Sequence, residues 1–338
     1  MLTKPNGGKA SALNFGLKKC KSDFVVCIDA DTQLDPNAIR EIAKPFSDPK
    51  VGAVAGNVKV GNQVNWLTKW QSIEYITAQN FDRMAFAYLN CITVVPGAIG
   101  AFRRKAIGAV GWYETDTLAE DCDLTMRIIR KGYRVAQNNN SIAITESPET
   151  LKQFLKQRFR WTFGVMQAFW KSKHVLFNKR YGSLGWVALP NILIFGMILP
   201  IFAPIADLVL LLSVLSSAIK AIVDVSNSPI APISFYEQYH TLILYLAFMS
   251  IDLIVSAVAL RIQKEPLRQL WLLFPQRLVY RPLMYYVLFK SYIKALKGEL
   301  MGWGVLKRTG SIGQVVVKQP MPTITQADIE LNKIPSVG

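Results

Sequence analysis

The sequence predicts an α/β nucleotide-binding domain followed by interfacial and membrane-crossing helices, and three observations carry that expectation. An apolar run, Phe24 to Ile28, ends in Asp29-Ala30-Asp31, so two carboxylates arrive where a strand should stop. Strand and helix signals, punctuated by Gly, Pro and Asp, then continue to about residue 183. Beyond it, Leu184 to Ala218 and Thr241 to Leu260 are long apolar stretches, and about 20 such residues cross a bilayer core.

The acidic pair has a chemical reading. In open α/β sheets ligands gather outside the carboxyl ends of the strands, and two acids two residues apart in extended chain point to one side. Together they can hold one divalent cation, Mg²⁺ or Mn²⁺, with substrate phosphates completing its oxygen shell. Taken alone, the same pair also describes two solvated acids opening a turn. Ahead of it, Met1 to Ser11 is a polar, Gly-rich loop with no apolar core, so no signal peptide is expected. A nucleotide-binding α/β fold normally opens with a strand and helix before its first loop, so the front of the domain is expected to be absent.

Asp35-Pro36 has the form of an N-cap with proline at the first helical position and predicts a helix to about Phe46. Val51 to Val60 is a strand. Val64 to Leu89 predicts a long amphipathic helix with an apolar stripe through Trp66, Trp70, Ile73 and Ile76. Val94 to Ala98 and Ile99 to Phe102 read as strand, turn and strand. Gly97 and Gly100 serve either as turn punctuation or as points where backbone approaches a substrate.

Glu120-Asp121-Cys122-Asp123 opens a helix that runs to the stop signal Gly132. Acids at a helix start are stabilised by the macrodipole, by about 0.3 to 1 kcal/mol each. One of them can also serve as a base toward a sugar hydroxyl. A further helix starts after Ser147-Pro148 and extends past Trp170. Within it Gln157, Arg160 and Trp161 are spaced i, i+3, i+4 and share one face, presenting an amide, a guanidinium and an indole. The indole can stack on a sugar ring while the planar guanidinium meets phosphate oxygens. The surrounding Phe, Trp, Lys and Arg residues equally suit a helix lying in the headgroup plane.

Composition agrees with a membrane part. Hydrophobic residues make up 51% of the chain and the mean hydropathy is +0.22. The net charge of +16 is concentrated at the front, with 26 Lys and Arg against 15 Asp and Glu over residues 1–183 and 13 against 8 thereafter. A basic domain beside an apolar one suits anionic headgroups and polyanionic substrates. No nucleic-acid-binding module is visible, so nucleic acid is not an expected partner. The four cysteines have no paired spacing and read as reduced thiols.

In the apolar half, Leu184 to Ala218 is expected as one kinked crossing with an interfacial lead-in, the alternative being two short re-entrant pieces, and its Asp207 must face protein or water at membrane depth. Thr241 to Leu260 is the second crossing, with Asp252 its only charge. Arg261, Lys264 and Arg268 follow it, which puts the intervening loop outside. Arg277 and Arg281 fall in the middle of Leu270 to Phe289, which favours an interfacial or re-entrant helix there over a third crossing. From Ser311 periodicity is lost and a mobile tail is expected.

In this order the pieces resemble the membrane-embedded, processive family 2 glycosyltransferases, which include cellulose, chitin, hyaluronan and poly-N-acetylglucosamine synthases. Asn6-Gly7-Gly8-Lys9-Ala10 with Ala12-Leu13-Asn14 is similar to the family's G-G-K-x-x-A-L-N loop. Asp29 to Asp31 is similar to its D-x-D, Glu120-Asp121 to its T-E-D with Ala119 in place of threonine, and Gln157 to Trp161 to its Q-x-x-R-W. The resemblance covers residues 6 to about 310. It implies a GT-A-type nucleotide-sugar-binding domain lacking its N-terminal part, over residues 1–183. A transmembrane and interfacial region, 184–310, and a tail, 311–338, would follow. It further implies UDP-sugar binding by Lys9, Asp29 and Asp31, with the metal chiefly at Asp31. Asp121 beside Glu120 would be the general base, with Gln157, Arg160 and Trp161 around the acceptor terminus and pyrophosphate. The activity expected is inverting transfer from a UDP-sugar, with UDP-N-acetylglucosamine the first choice, to a growing β-linked polysaccharide at a multi-pass, bacterial-type inner membrane, with the catalytic domain cytoplasmic. The alternatives are a non-processive transferase acting on a lipid acceptor and an inactive membrane fragment. A partner subunit is undetermined by the sequence.

Overall fold

A computed structural model of the chain describes residues 2–227 and 235–298. The expected tail from Ser311, and part of the loop expected outside the membrane, lie beyond those residues. The chain opens with α1 (Gly8–Lys19), β1 (Phe24–Cys27), β2 (Thr32–Leu34) and α2 (Ala38–Ala43), then β3 (Val51–Val60). The expected helix after Asp35 is shorter than its sequence signal. Asp35 Oδ1 accepts from the Asn37 amide at 2.9 Å, α2 begins at Ala38, and a 3₁₀ turn, Lys44–Ser47, follows.

The Val64 to Leu89 helix runs as α3 (Trp66–Glu74), a π-helical stretch Tyr75–Phe81, and α4 (Asp82–Tyr88). A reciprocal cap starts it: Asn65 Oδ1 accepts from the Thr68 amide and Thr68 Oγ1 from the Asn65 amide, both at 3.0 Å. Such caps contribute about 1 kcal/mol. Next come β4 (Gly100–Arg103), α5 (Arg104–Ala109), α6 (Glu120–Arg130), β5 (Arg134–Thr145) and α7 (Leu151–Lys171). Val94 and Val95 do not form the strand their sequence suggests. Val95 is buried, and its amide donates to Thr125 Oγ1 at 3.1 Å in place of a strand partner.

The sheet is mixed, in the order β1-β4-β3-β5-β2. Strand β3 lies at its centre, antiparallel to β4 and parallel to β5, and nearly every residue of it is buried. A strand covered on both faces reads as a continuous apolar or small-residue run, which explains its legibility in the sequence. Because β1 and β4 are antiparallel with Cys27 opposite Gly100, the chain leaving β1 meets the chain entering β4. That puts Asp29 beside Pro96-Gly97.

The apolar half begins with a π-helical turn, Leu184–Ala188. It continues through α8 (Leu189–Asn191), a second π-helical stretch Ile192–Ile198, and α9 (Leu199–Asn227). Pro190, Pro200 and Pro204 each withdraw a backbone donor from this run, the usual cause of such irregularity. After α10 (Phe235–Ile262), a 3₁₀ turn leads into α11 (Leu273–Leu296). Two stretches, Leu184–Ser216 and Ile243–Ile262, are helices long and apolar enough to cross a membrane. The two arginines that argued against a lipid-facing helix find the acids of the other two. Arg277 Nη2 meets Asp252 Oδ2 at 2.8 Å, and Arg281 Nη1 meets Asp207 Oδ1 at 3.3 Å. Each charge is thus turned toward another helix, as an apolar setting requires.

Candidate active site

The motif residues come together from separate stretches of chain. Lys9 is in the first turn of α1, Asp29 follows β1, Glu120 and Asp121 open α6, and Gln157, Arg160 and Trp161 share a face of α7. All seven line one cavity of about 440 Å³. Asp31 does not line it. The chain turns after Asp29, whose carbonyl accepts from the Thr32 amide at 3.1 Å, so Asp29 and Asp31 are not successive same-side residues of an extended strand.

Lys9 Nζ lies 2.6 Å from Asp29 Oδ1 and 3.7 Å from Glu120 Oε1. Gly97 makes this contact possible: a Cβ there would sit 2.3 Å from Lys9 Nζ and 3.1 Å from Asp29 Oδ2. Glycine at 97 is therefore a close-approach residue, the second of the two sequence readings. Glu120 is buried and its carboxyl is pushed up to about 7, first by burial and then by the charge of Asp121, with Lys9 opposing. Burial raises Asp121 as well, against the pull of Lys9 and of the Cys122 amide, which donates to its Oδ1 at 2.8 Å. Adjacent carboxyls in a site poor in water hold protons more tightly than isolated ones, and they titrate as a pair.

The loop that delivers this pair is clamped. Lys171 bonds Glu114 and lies 2.9 Å from Asp116 and 3.1 Å from Asp123, while Arg127 Nε reaches Asp123 Oδ2 at 2.7 Å. The three acids form a compact cluster, and these two cations already neutralise much of its charge. Helix α7 presses on the same loop. Gln167 Oε1 accepts from the Leu118 amide at 2.9 Å, and a Cβ on Gly164 would meet the Ala119 nitrogen at 2.6 Å. Ala119, which replaces the threonine of the motif, packs into that glycine gap.

Gln157 is buried with its Oε1 lacking any hydrogen-bond partner among the described residues. Trp161 is half-buried between the Tyr75 ring, centroid to centroid 6.2 Å, and the Arg158 guanidinium, 4.7 Å from its ring centre. Arg158 in turn bonds Glu74, whose other oxygen accepts from the Tyr280 hydroxyl. Burial alone would loosen the Arg158 proton, but the Glu74 carboxylate and the Tyr280 and Tyr75 hydroxyls together outweigh it and the net shift is upward.

One wall of the cavity was missed in the sequence. Glu74, Tyr75, Gln79, Asp82, Arg83 and Phe86 all line it from the α3 to α4 run, and Asn191 does so from the foot of the first apolar helix. The available signal was the polar stripe at helical spacing beside the Trp66, Trp70, Ile73 stripe. In all, the lining carries six carboxylates, Asp29, Glu74, Asp82, Glu120, Asp121 and Glu146, against four cations, Lys9, Arg83, Arg158 and Arg160. A diphosphate entering such a cavity adds negative charge to an acidic lining. A hard divalent cation on carboxylate oxygens fits that deficit.

Residues 24–289 match the profile described as glycosyl transferase family group 2. The chain is 35% identical over 160 residues to poly-beta-1,6-N-acetyl-D-glucosamine synthase of Staphylococcus aureus, covering 47% of this chain and 39% of that protein. It is 30% identical over 194 residues to the Staphylococcus epidermidis synthase of the same name, covering 54% and 47%. The chain thus spans less than half the length of these relatives. Among solved structures it is similar to the mannosyltransferase PcManGT from Pyrobaculum calidifontis in complex with GDP-Man and Mn²⁺. The TM-score there is 0.53 at 19% identity, over 87% of this chain and 68% of that one, a likeness of GT-A-like fold. With the greater part of its length matched, the chain belongs to glycosyl transferase family group 2.

Proposed function

We propose that this chain is a glycosyltransferase that moves N-acetylglucosamine from its UDP derivative to a growing β-linked polysaccharide, with inversion, at a membrane. The observation that carries the reading is the convergence of Lys9, Asp29, Glu120, Asp121, Gln157, Arg160 and Trp161 on a single cavity. The names of the staphylococcal relatives favour the amino sugar. The two apolar helices, with Asn191 of the first lining the cavity, favour an acceptor path beginning at the membrane. Residues 1–183 would be the cytoplasmic catalytic part and 184–310 the membrane part.

Asp121 accepts the proton of an acceptor hydroxyl as that oxygen attacks the anomeric carbon. The bond from that carbon to the diphosphate oxygen breaks, UDP leaves with the electron pair, and the configuration inverts. Lys9 and Arg160 supply positive charge to the diphosphate, and Trp161 offers its ring face to the acceptor sugar. Glu120, sharing its environment with Asp121, sets the pH at which the base is free. When bound, Mg²⁺ or Mn²⁺ would neutralise diphosphate charge, held by Asp29 of the lining together with Asp31, two residues further along the chain; Asp31→Ala is expected to weaken UDP binding in the presence of metal and to leave metal-free binding unchanged.

The test is to incubate membranes containing the full chain with a panel of labelled UDP-sugars and to measure UDP release and product size together. UDP-N-acetylglucosamine is expected to give UDP and a long polymer. UDP with a single sugar on lipid would establish the non-processive alternative, and no UDP from any donor would defeat the transferase reading.

A further inference from the structure

Three guanidiniums among the described residues are buried: Arg83, Arg127 and Arg158. Arg127 has Asp123 at 2.7 Å, and Arg158 has Glu74. Among the described residues Arg83 has no carboxylate at ion-pair distance. Its Nη1 donates to Asn80 Oδ1 at 3.2 Å and its Nη2 to Gln79 Oε1 at 3.3 Å, both neutral amide oxygens and both long contacts. An ionised side chain that is 9% exposed and hydrogen-bonded only to amides is costly to hold, even with Asp82 and Asp121 within electrostatic reach.

The surroundings fix its orientation. Asn80, fully buried, donates to the Val58 carbonyl at 2.8 Å and accepts from the Val58 amide at 3.4 Å, so the residue that holds Arg83 is itself fastened to the central strand. The π-helical stretch Tyr75–Phe81 ends at this point, and such stretches recur at functional sites. Arg83 faces the cavity between Gln79 and Phe86, an amide and an aromatic face, and lies within electrostatic reach of Asp121. The opposite demand, a cation for the diphosphate, is met by Lys9 at the Asp29 and Gly97 corner. A fixed guanidinium fork lining the same cavity as Asp121, among amide and aromatic groups, is complementary to the hydroxyl and acetamide oxygens of a carbohydrate.

Resting on the transferase reading above, we infer that Arg83 is an acceptor-positioning residue. It hydrogen-bonds oxygens of the acceptor's terminal sugar so that the attacking hydroxyl faces Asp121.

The experiment uses the full chain in membranes at saturating UDP-N-acetylglucosamine, with a β-linked N-acetylglucosamine tetramer added as acceptor. Two quantities are read for wild type, Arg83→Gln and Arg83→Lys: the tetramer concentration giving half-maximal stimulation of UDP release, and the inhibition constant for UDP. Loss of a charged hydrogen bond to substrate predicts that Arg83→Gln raises the first by about tenfold or more, with Arg83→Lys intermediate and UDP inhibition within about twofold of wild type. If Arg83→Gln fails to accumulate, Arg83→Lys carries the test, with a rise of about threefold expected. A parallel rise in the UDP inhibition constant would assign Arg83 to the diphosphate and overturn the inference. No change in either quantity would make it a packing residue and overturn it equally. Failure of the underlying transferase reading is seen separately, as absence of UDP release by the wild type.

Discussion

At the Lys9 corner of the cavity one ammonium faces three carboxylates, Asp29, Glu120 and Asp121, and the adjacent pair Glu120 and Asp121 hold their protons more tightly than usual. Around Glu74 the same kinds of group are matched: one carboxylate receives one guanidinium and one phenol, with Phe154 and Trp161 packed on the guanidinium. The first arrangement is short of positive charge and has room for a cation. The second is balanced in charge by itself and ties α3, α7 and α11 together around Trp161. On the proposed function, identical chemistry thus serves as a reactive centre in one place and a structural fastening in the other, and the count of partners decides which.

Substitutions at the two places should therefore fail in different ways. The largest effect is expected from Asp121→Asn, which keeps the shape and removes the base. Turnover measured by UDP release should fall by about 10² to 10⁴-fold with no loss of thermal stability in detergent. Glu74→Ala should do the reverse in kind. It leaves Arg158 buried without a counter-charge, which costs about 3–5 kcal/mol of stability, read as a lowered unfolding temperature of the detergent-extracted protein. An unchanged unfolding temperature would remove the distinction between the two clusters.

Two smaller effects sharpen it. In Gly97→Ala the new methyl occupies the position of Lys9 Nζ, so the Lys9 contact with Asp29 should break and the KM for donor rise by about tenfold. Glu120→Gln removes a negative charge next to Asp121. The base works only unprotonated, so turnover declines as pH falls through its raised pKa. Because the two carboxyls titrate as a pair, with Glu120 holding a proton up to about pH 7, replacing it should leave a single titration and move the acid limb of the pH–rate profile to lower pH. A limb displaced upward would mean that the two carboxyls do not interact as their positions require.

Much of this was legible in the residues, because strong local signals coincide with the parts that matter. The buried central strand, the α6 start, the shared face of Gln157, Arg160 and Trp161, and both apolar helices all follow from periodicity and caps. Strand β5 was not, since Gln137-Asn138-Asn139-Asn140 interrupts its apolar pattern. Its parallel pairing with β3 and the antiparallel β2 sustain it instead, through contacts distant in sequence. Helix α1 was hidden behind its glycines. The turn that sends Asp29 into the cavity and leaves Asp31 outside its lining depends on one backbone hydrogen bond, below what residue spacing can resolve. The Arg83 wall escaped notice because a polar stripe on an amphipathic helix normally faces solvent, and only tertiary packing turns this one inward. The partners of Arg277 and Arg281 were invisible for the same reason, although the need for partners was plain.

The most direct test is the UDP affinity of Asp121→Asn, measured on the same preparation in which its turnover has been lost. A reactive pair that acts on the acceptor proton predicts a UDP dissociation constant within about twofold of wild type, because the interaction removed is made only in the transition state. A fall in UDP affinity as large as the fall in turnover would contradict it, and would make Asp121 part of the nucleotide site.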